Sequence, residues 1–187
     1  GSVAGLIGTI IDITERKHAE SRQAMEHAIT RVLADAETLQ EAMPQIIRTI
    51  CEAMDWQCGA CWQWDQQAGA LRRVENWGID TPEVQEFIRS NADRIIKPGQ
   101  SGEGLVRRTF VTGKPVWIAD VSMGGGLMTR TRSIVGAGLR GAFAFPLLLS
   151  SEVLGVMEFF CRDVREPDGS LEKIALSVGN QIGQYMV

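Results

Sequence analysis

Histidine is scarce in this 187-residue sequence: there are two, His18 and His27, both in its N-terminal part. The pair Cys58-Gly59-Ala60-Cys61 has the spacing of a zinc or redox motif, but no second pair of Cys or His ligands stands nearby to complete a tetrahedral site. A redox dithiol needs a helix N-terminus, whereas Trp62, Trp64 and the turn after them point to a strand. Strand positions three apart face opposite ways. Cys51, Cys58, Cys61 and Cys161 therefore read as plain buried thiols of a reducing compartment.

Long apolar runs are missing too. None approaches the ~20 residues of a membrane span. Val3 to Ile13 lacks the basic flank of a secretory signal, and Gly1-Ser2 reads as a tag remnant, so the expected location is the cytoplasm. A net charge of -4 argues against nucleic acid as a partner. Arg107-Arg108 and Arg130-Thr131-Arg132 are short basic spots of helix surface. Gly102-Glu103-Gly104 lacks the further glycine and the Lys-Ser/Thr ending of a phosphate loop. Internal repeats and low-complexity tracts are absent. What remains is ordinary globular composition, 44% hydrophobic and 22% charged, enough for one domain and an appended segment.

The most informative stretch runs from Gly138 to Phe160. Two apolar runs, Gly141 to Leu147 and Val153 to Phe160, flank the polar turn Ser150-Ser151-Glu152 and predict a buried β-hairpin. Alternation puts Phe143, Phe145 and Leu147 on one face and Ala142, Ala144 and Leu148 on the other. Met157 and Phe159 likewise oppose Val156 and Phe160. Runs this apolar are covered on both faces. Which face lines a cavity is open at this point.

A second hairpin is expected from Trp56 to Trp64 and Ala70 to Trp77, turned at Gln66-Gln67-Ala68-Gly69. Thr38 with Glu41 has the pattern of a capping box, opening a helix whose buried face is Met43, Ile46, Ile47, Ile50 and Met54, with Pro44 as a candidate restart point. Further helices are expected from Thr81 to about Ala92, from Gly102-Glu103-Gly104 through Phe110 to Gly113, near Arg130 to Val135, and from Pro167 to the end. Val116 to Ile118 reads as a short strand and Met123 to Met128 as a loop. At the N-terminus, residues 3–13 read as a strand ending in Asp12-Ile13. Thr14 would then cap a polar helix running through Ala24, Ala28 and Val32. Its apolar stripe is thin from Glu15 to Glu26, which leaves a solvated linker or a parallel two-helix coil with a second copy.

The string Gly8-Thr9-Ile10-Ile11-Asp12-Ile13-Thr14-Glu15-Arg16-Lys17 resembles the last strand of a PAS domain and the signalling helix leaving it. From Ala28 onward the chain resembles the GAF family. The motifs that carry this are Gly102-x-Gly104-Leu105, Thr112-Gly113-Lys114-Pro115-Val116, Asp120-Val121, Gly138-Leu139-Arg140, Glu152-Val153-Leu154-Gly155-Val156 and Gln181-Ile182-Gly183. With Trp56, Trp62, Asp65, Trp77 and Phe143-Ala144-Phe145-Pro146, it is similar to GAF modules that follow PAS domains in bacterial sensor histidine kinases.

The resemblance implies an α+β fold: an antiparallel sheet of about five or six strands, helices on both faces, a long linker helix in front. It divides the chain into the end of a PAS domain at 1–13, a signalling helix at 14–27 and a GAF domain at 28–187. It implies a non-catalytic sensor that binds a small molecule and relays a signal through dimeric helices to an output domain. The alternatives are a ligand-free dimerisation and relay module and, less favoured, a thiol-dependent reductase.

Candidate ligand contacts are Trp62, Trp64, Trp77, Trp117, Met128, Phe143 and Phe145, with Glu103, Asp120 and Arg140 as polar anchors. Each aromatic has core packing as its competing role. A covalent bilin is not expected, because Val121 to Phe145 contains neither the cysteine nor the histidine that bilin-binding members use. Nor is a His-ligated haem, because both histidines lie on the entering helix. The cyclic-nucleotide signature of the family and the cysteine pattern of its methionine-sulfoxide reductases are missing. Any cofactor is left unnamed.

Overall fold

The computed structural model describes residues 2–99, 104–123 and 130–187, with side chains from residue 13 onward. Its elements are α1 (Ser2–Asp35), α2 (Leu39–Met54), β1 (Cys58–Asp65), β2 (Ala70–Gly78), α3 (Pro82–Ser90), β3 (Ile95–Ile96), α4 (Leu105–Thr112), β4 (Val116–Ile118), α5 (Thr131–Gly136), β5 (Gly141–Leu149), β6 (Glu152–Cys161) and α6 (Gly169–Gln184). The strands form one six-stranded sheet in the order β3-β2-β1-β6-β5-β4, with every neighbouring pair antiparallel. The longest strands lie inside, and the edges are a two-residue and a three-residue strand, too short to template pairing with another chain.

Local chemistry accounts for these boundaries. Thr38 caps α2 by accepting from the Glu41 backbone N–H at 3.3 Å. Pro44 sits inside α2 instead of restarting it, since the buried stripe Met43, Ile46, Ile47 and Ile50 holds that helix together through the missing N–H. Asp65 accepts from Ala68 N–H at 2.9 Å and from Arg72 at 2.9 Å, tying the β1–β2 turn, where Gly69 takes φ +58°. The β5–β6 turn is shorter than expected. It is Ser150-Ser151 with Ser150 at φ 57°, and Glu152 already pairs with Leu149. Asp168 starts α6 by accepting from Ser170 and Leu171 N–H, so the helix begins after Pro167 and not at it.

The N-terminal expectation is corrected. Residues 3–13 are helical, and α1 runs through Thr14 without a cap there. A strand needs a partner for its backbone groups, and no described strand pairs with this segment, whereas a helix satisfies them internally. The two-residue strand β3 was not anticipated; flanked by Lys97-Pro98-Gly99, it is too short to show a period.

The sheet separates two cores. On one face α1, α2 and α6 bury Ile29, Leu33, Ile46, Ile47, Val178 and Ile182 against Cys61, Phe143, Phe145, Leu147, Met157 and Phe159. On the other, α3, α4 and α5 bury Val84, Phe87, Leu105, Val106 and Ile134 against Trp62, Leu71, Ala142, Ala144, Val156 and Phe160. Helix α6 lies flush on β5. A Cβ at Gly179 would strike the Pro146 carbonyl oxygen, and one at Gly183 the Leu148 carbonyl oxygen. Among the residues of α1 whose side chains are described, 13–21 are all exposed and Met25 is the first buried one.

Candidate functional site

The α3–α5 face carries a polar centre that the surrounding hydrophobicity makes costly. Glu158 stands mid-strand in β6 between Met157 and Phe159, opposite Ala60 on β1 and Ala144 on β5. Those two small side chains leave the carboxylate room above the sheet. Its Oε1 accepts from the Trp62 indole Nε1–H at 2.9 Å, and its Oε2 accepts from Arg130 Nη2–H at 2.6 Å. Both charged side chains are sealed, 2% exposed for Glu158 and 7% for Arg130. Arg130 stands at the start of α5, with its guanidinium carbon 5.5 Å from the centre of the Phe160 ring and 5.9 Å from that of Phe87. These distances fit cation–π attraction.

Two further charges, Arg73 and Arg94, are coupled electrostatically to this centre. Strand β2 faces β1 with an irregularity between Cys61 and Trp62, which aligns Arg73 with Trp62 and leaves Val74 exposed. Arg73 donates to the Ile88 carbonyl at the end of α3 at 2.8 Å. Burial pushes its pKa down, Glu158 pulls it up and Arg130 pushes it down again. Arg94 is lowered by burial and by Arg130, and raised by Glu158. The buried Asn91 fixes the end of α3 by donating to the Phe87 carbonyl at 2.8 Å.

Of the residues singled out from sequence, Trp62 is at this centre, and Trp64 lies on the same face against Phe110, with ring centres 4.8 Å apart. Phe143 and Phe145 lie on the opposite face under the terminal helices. There Phe143 packs with Trp117 at 4.8 Å and Trp56 at 6.3 Å. Trp117 also donates to the Arg165 carbonyl at 2.6 Å, and Trp77 is partly buried on that face. Asp120 and Arg140 form a separate cluster: Arg140 donates from Nε at 2.9 Å and from Nη2 at 2.5 Å to the carboxylate, and from Nη2 to Ser122 Oγ at 3.0 Å. The Arg140 hydrogen bond, followed by those of Ser122, holds the Asp120 carboxyl well below the usual carboxylate range. Glu103 and Met128 lie outside the described residues.

Sequence reading passed over Glu158 and Arg130. The signal for Glu158 was a lone carboxylate inside the run Val153 to Phe160. Arg130 looked like surface because Arg132, two residues on, shares its charge.

The thiols behave as core. All four are free and buried, Cys58 on the Glu158 face and Cys51, Cys61 and Cys161 on the other. Burial pushes the Cys61 pKa up to about 12, and burial raises the others, with the Glu158 carboxylate adding to the rise at Cys58. Among the described residues no group of three or more His, Cys, Asp or Glu side chains could hold a metal ion.

A family model of the GAF domain matches residues 36–187. The chain belongs to the GAF family. Its α+β architecture agrees with solved relatives. The GAF domain of a phosphoenolpyruvate-protein phosphotransferase from Coxiella burnetii is 17% identical, with a TM-score of 0.73 over 90% of this chain and 94% of that one. The GAF domain of A. aeolicus nlh2 in an inactive state is 19% identical, with a TM-score of 0.68 over 90% and 97%. A free methionine-R-sulfoxide reductase from Neisseria meningitidis in complex with its substrate is 16% identical, with a TM-score of 0.62 over 91% and 92%. At such identities the likeness is one of fold. No curated protein matches the chain.

Proposed function

We propose that this GAF domain is a non-catalytic sensory module. It binds a small molecule in a chamber between the sheet and α3–α5, and it relays occupancy through α1 and α6 to an output domain. The observation that carries this reading is the sealed Glu158–Arg130 pair hydrogen-bonded to Trp62. A buried ion pair contributes little net stability compared with apolar packing of the same volume, so its placement in an apolar core is explained by recognition.

Relay follows from strand alternation. Glu158 points toward Trp62 and Arg130 on the α3–α5 side, while its neighbours Met157 and Phe159 pack beneath the terminal helices. A ligand that shifts β6 must repack those side chains, because a dense core does not absorb displacement. A ligand preferring one arrangement of the chamber thereby prefers one arrangement of α1 and α6. The exposed part of α1 is then covered by the same helix of a second copy, in the cytoplasmic setting of a PAS- and GAF-containing receptor, with 14–27 as the signalling helix.

The reductase alternative asks for an accessible, low-pKa thiolate. The buried, protonated cysteines weigh against it. The ligand-free relay keeps one observation in its favour: both oxygens of Glu158 are already satisfied by the chain itself.

A thermal-shift screen of small metabolites on the full chain, beside Trp62→Phe, tests the proposal. Compounds that stabilise the wild type and lose their effect in the variant support the sensor. A library that stabilises neither, with dimerisation intact, favours the ligand-free relay.

A further inference from the structure

On the terminal-helix side of the sheet, away from Glu158, a cleft of about 330 Å³ opens between the start of α2 and the residues that follow α6. Strands β1 and β2 form its floor. Its size falls within the ~300–1,000 Å³ of small-molecule sites. Met43 and Cys61 make a buried base, 3% and 1% exposed, while Gln40, Gln63, Glu75 and Tyr185 are its polar lining.

Strand geometry explains how a carboxylate comes to stand there. Adjacent side chains of a regular strand face opposite ways. The irregularity between Cys61 and Trp62 pairs Arg73 with Trp62 and Glu75 with Cys61, leaving Val74 without a counterpart on β1. Val74 and Glu75 therefore both line the cleft, an apolar wall beside an acid. Bulges re-aim side chains in this way next to functional sites. Glu75 Oε1 accepts from the Asn76 N–H at 2.8 Å, and among the described residues no donor reaches Oε2. Among those residues Glu75 is also the only formal charge lining the cleft. Its cationic neighbours in β2 are engaged elsewhere, Arg72 by Asp65 at 2.9 Å and Arg73 by the Ile88 carbonyl at 2.8 Å. The positive end of α2 is already offset by Glu41 in its first turn.

We propose that this cleft binds a small primary amine in its ammonium form, with a short apolar body lying on Met43 and Met186. An ammonium carries three N–H donors, which the Glu75 carboxylate and the side-chain carbonyls of Gln40 and Gln63 accept. The site stands apart from the Glu158 chamber, on the other face of the sheet. A bound amine bridges α2 and the end of α6, so it favours one spacing of two terminal helices.

The experiment titrates the isotope-labelled full chain with n-butylammonium chloride and follows amide chemical shifts by NMR. Butyrate and n-butanol are controls with a similar apolar body and opposite or no charge, and tetramethylammonium carries the charge without an N–H donor. Saturable shifts are expected with butylammonium at the amides of residues 39–43, 61–63, 74–76 and 184–186, which surround the cleft. Glu75→Gln should weaken that binding about tenfold or more, since charge-assisted hydrogen bonds are strong. Trp62→Phe should leave it unchanged, which separates this site from the Glu158 chamber. Equal affinity in wild type and Glu75→Gln, or shifts that map to the other face of the sheet, overturn the inference. Butyrate or n-butanol binding there as well as the amine overturns the charge selection, and tetramethylammonium binding equally well overturns the primary amine. A flat response to butylammonium overturns the inference as a whole, and the metabolite screen decides the sensory reading separately.

Discussion

Glu158 and Arg130 meet at 2.6 Å with both side chains almost sealed from solvent, although 28 residues separate them in sequence. Neither charge has water to fall back on, so removing one partner strands the other. Glu158→Gln should destabilise the domain by about 3–5 kcal/mol. The double replacement Glu158→Leu with Arg130→Met should recover most of that, apart from about 1–3 kcal/mol for the orphaned Trp62 indole N–H. Urea denaturation of the two variants measures both terms.

Gly183 allows α6 to lie against the Leu148 carbonyl. Gly183→Ala forces backbone apart from backbone and should cost about 1–3 kcal/mol or more. Gly169→Ala, whose Cβ meets nothing within 4 Å, serves as the control in the same thermal melt.

Asp168 works twice, as N-cap of α6 and as ion-pair partner of Arg22 on α1. Asp168→Asn keeps the cap and loses the charge, while Asp168→Ala loses both and should cost about 1 kcal/mol of further stability. Ser177 donating to Glu26 at 2.5 Å and Thr30 donating to Gln181 at 2.8 Å extend the same seam between the helices. Faster hydrogen exchange in α1 near Arg22 is expected for Asp168→Asn, with α6 protected. Unchanged exchange in α1 would remove Arg22–Asp168 from the coupling.

The thiols impose a pH dependence. Burial raises their folded pKa values above the ordinary thiol value of 9.0, so the folded state holds these protons longer than the unfolded chain. Their contribution to stability is whole below about pH 9 and declines as pH rises further, by about 1.4 kcal/mol per pH unit for each thiol kept protonated. Cys61→Ala should flatten that decline, as read by urea midpoints across alkaline pH. Thiol-reactive dye at neutral pH should label none of the four cysteines without denaturant. Rapid labelling of one would revive a thiol chemistry.

Much of the fold was legible because periodicity and capping are local. The hairpin about Ser150 and the start of α2 at Thr38 carry their signals in adjacent residues, and Gly113 at φ +62° ends α4 as expected. The strand expected at 3–13 failed for the complementary reason: pairing is a property of a partner, and β-branched residues alone do not supply one. Alternation separated Phe143 from Ala144, yet it could not say which face the terminal helices cover. That is decided by α6 and its two close-approach glycines, far along the chain. Trp77, Trp117, Phe143 and Phe145 drew attention to the face that proved to be terminal-helix core, while Trp62 and Trp64 lie on the other. The positions that admit the buried ion pair are the small ones, Ala60 and Ala144, on either side of a single carboxylate.

The central claim is that the Glu158–Arg130 chamber holds a small molecule. Native mass spectrometry of the freshly purified chain, beside Trp62→Phe, tests it most directly. The account predicts a non-covalent adduct of small-molecule mass on the wild type that is depleted in the variant. A bare wild-type chain, together with no stabilising compound in the metabolite screen, would contradict it and leave a relay module with a filled core.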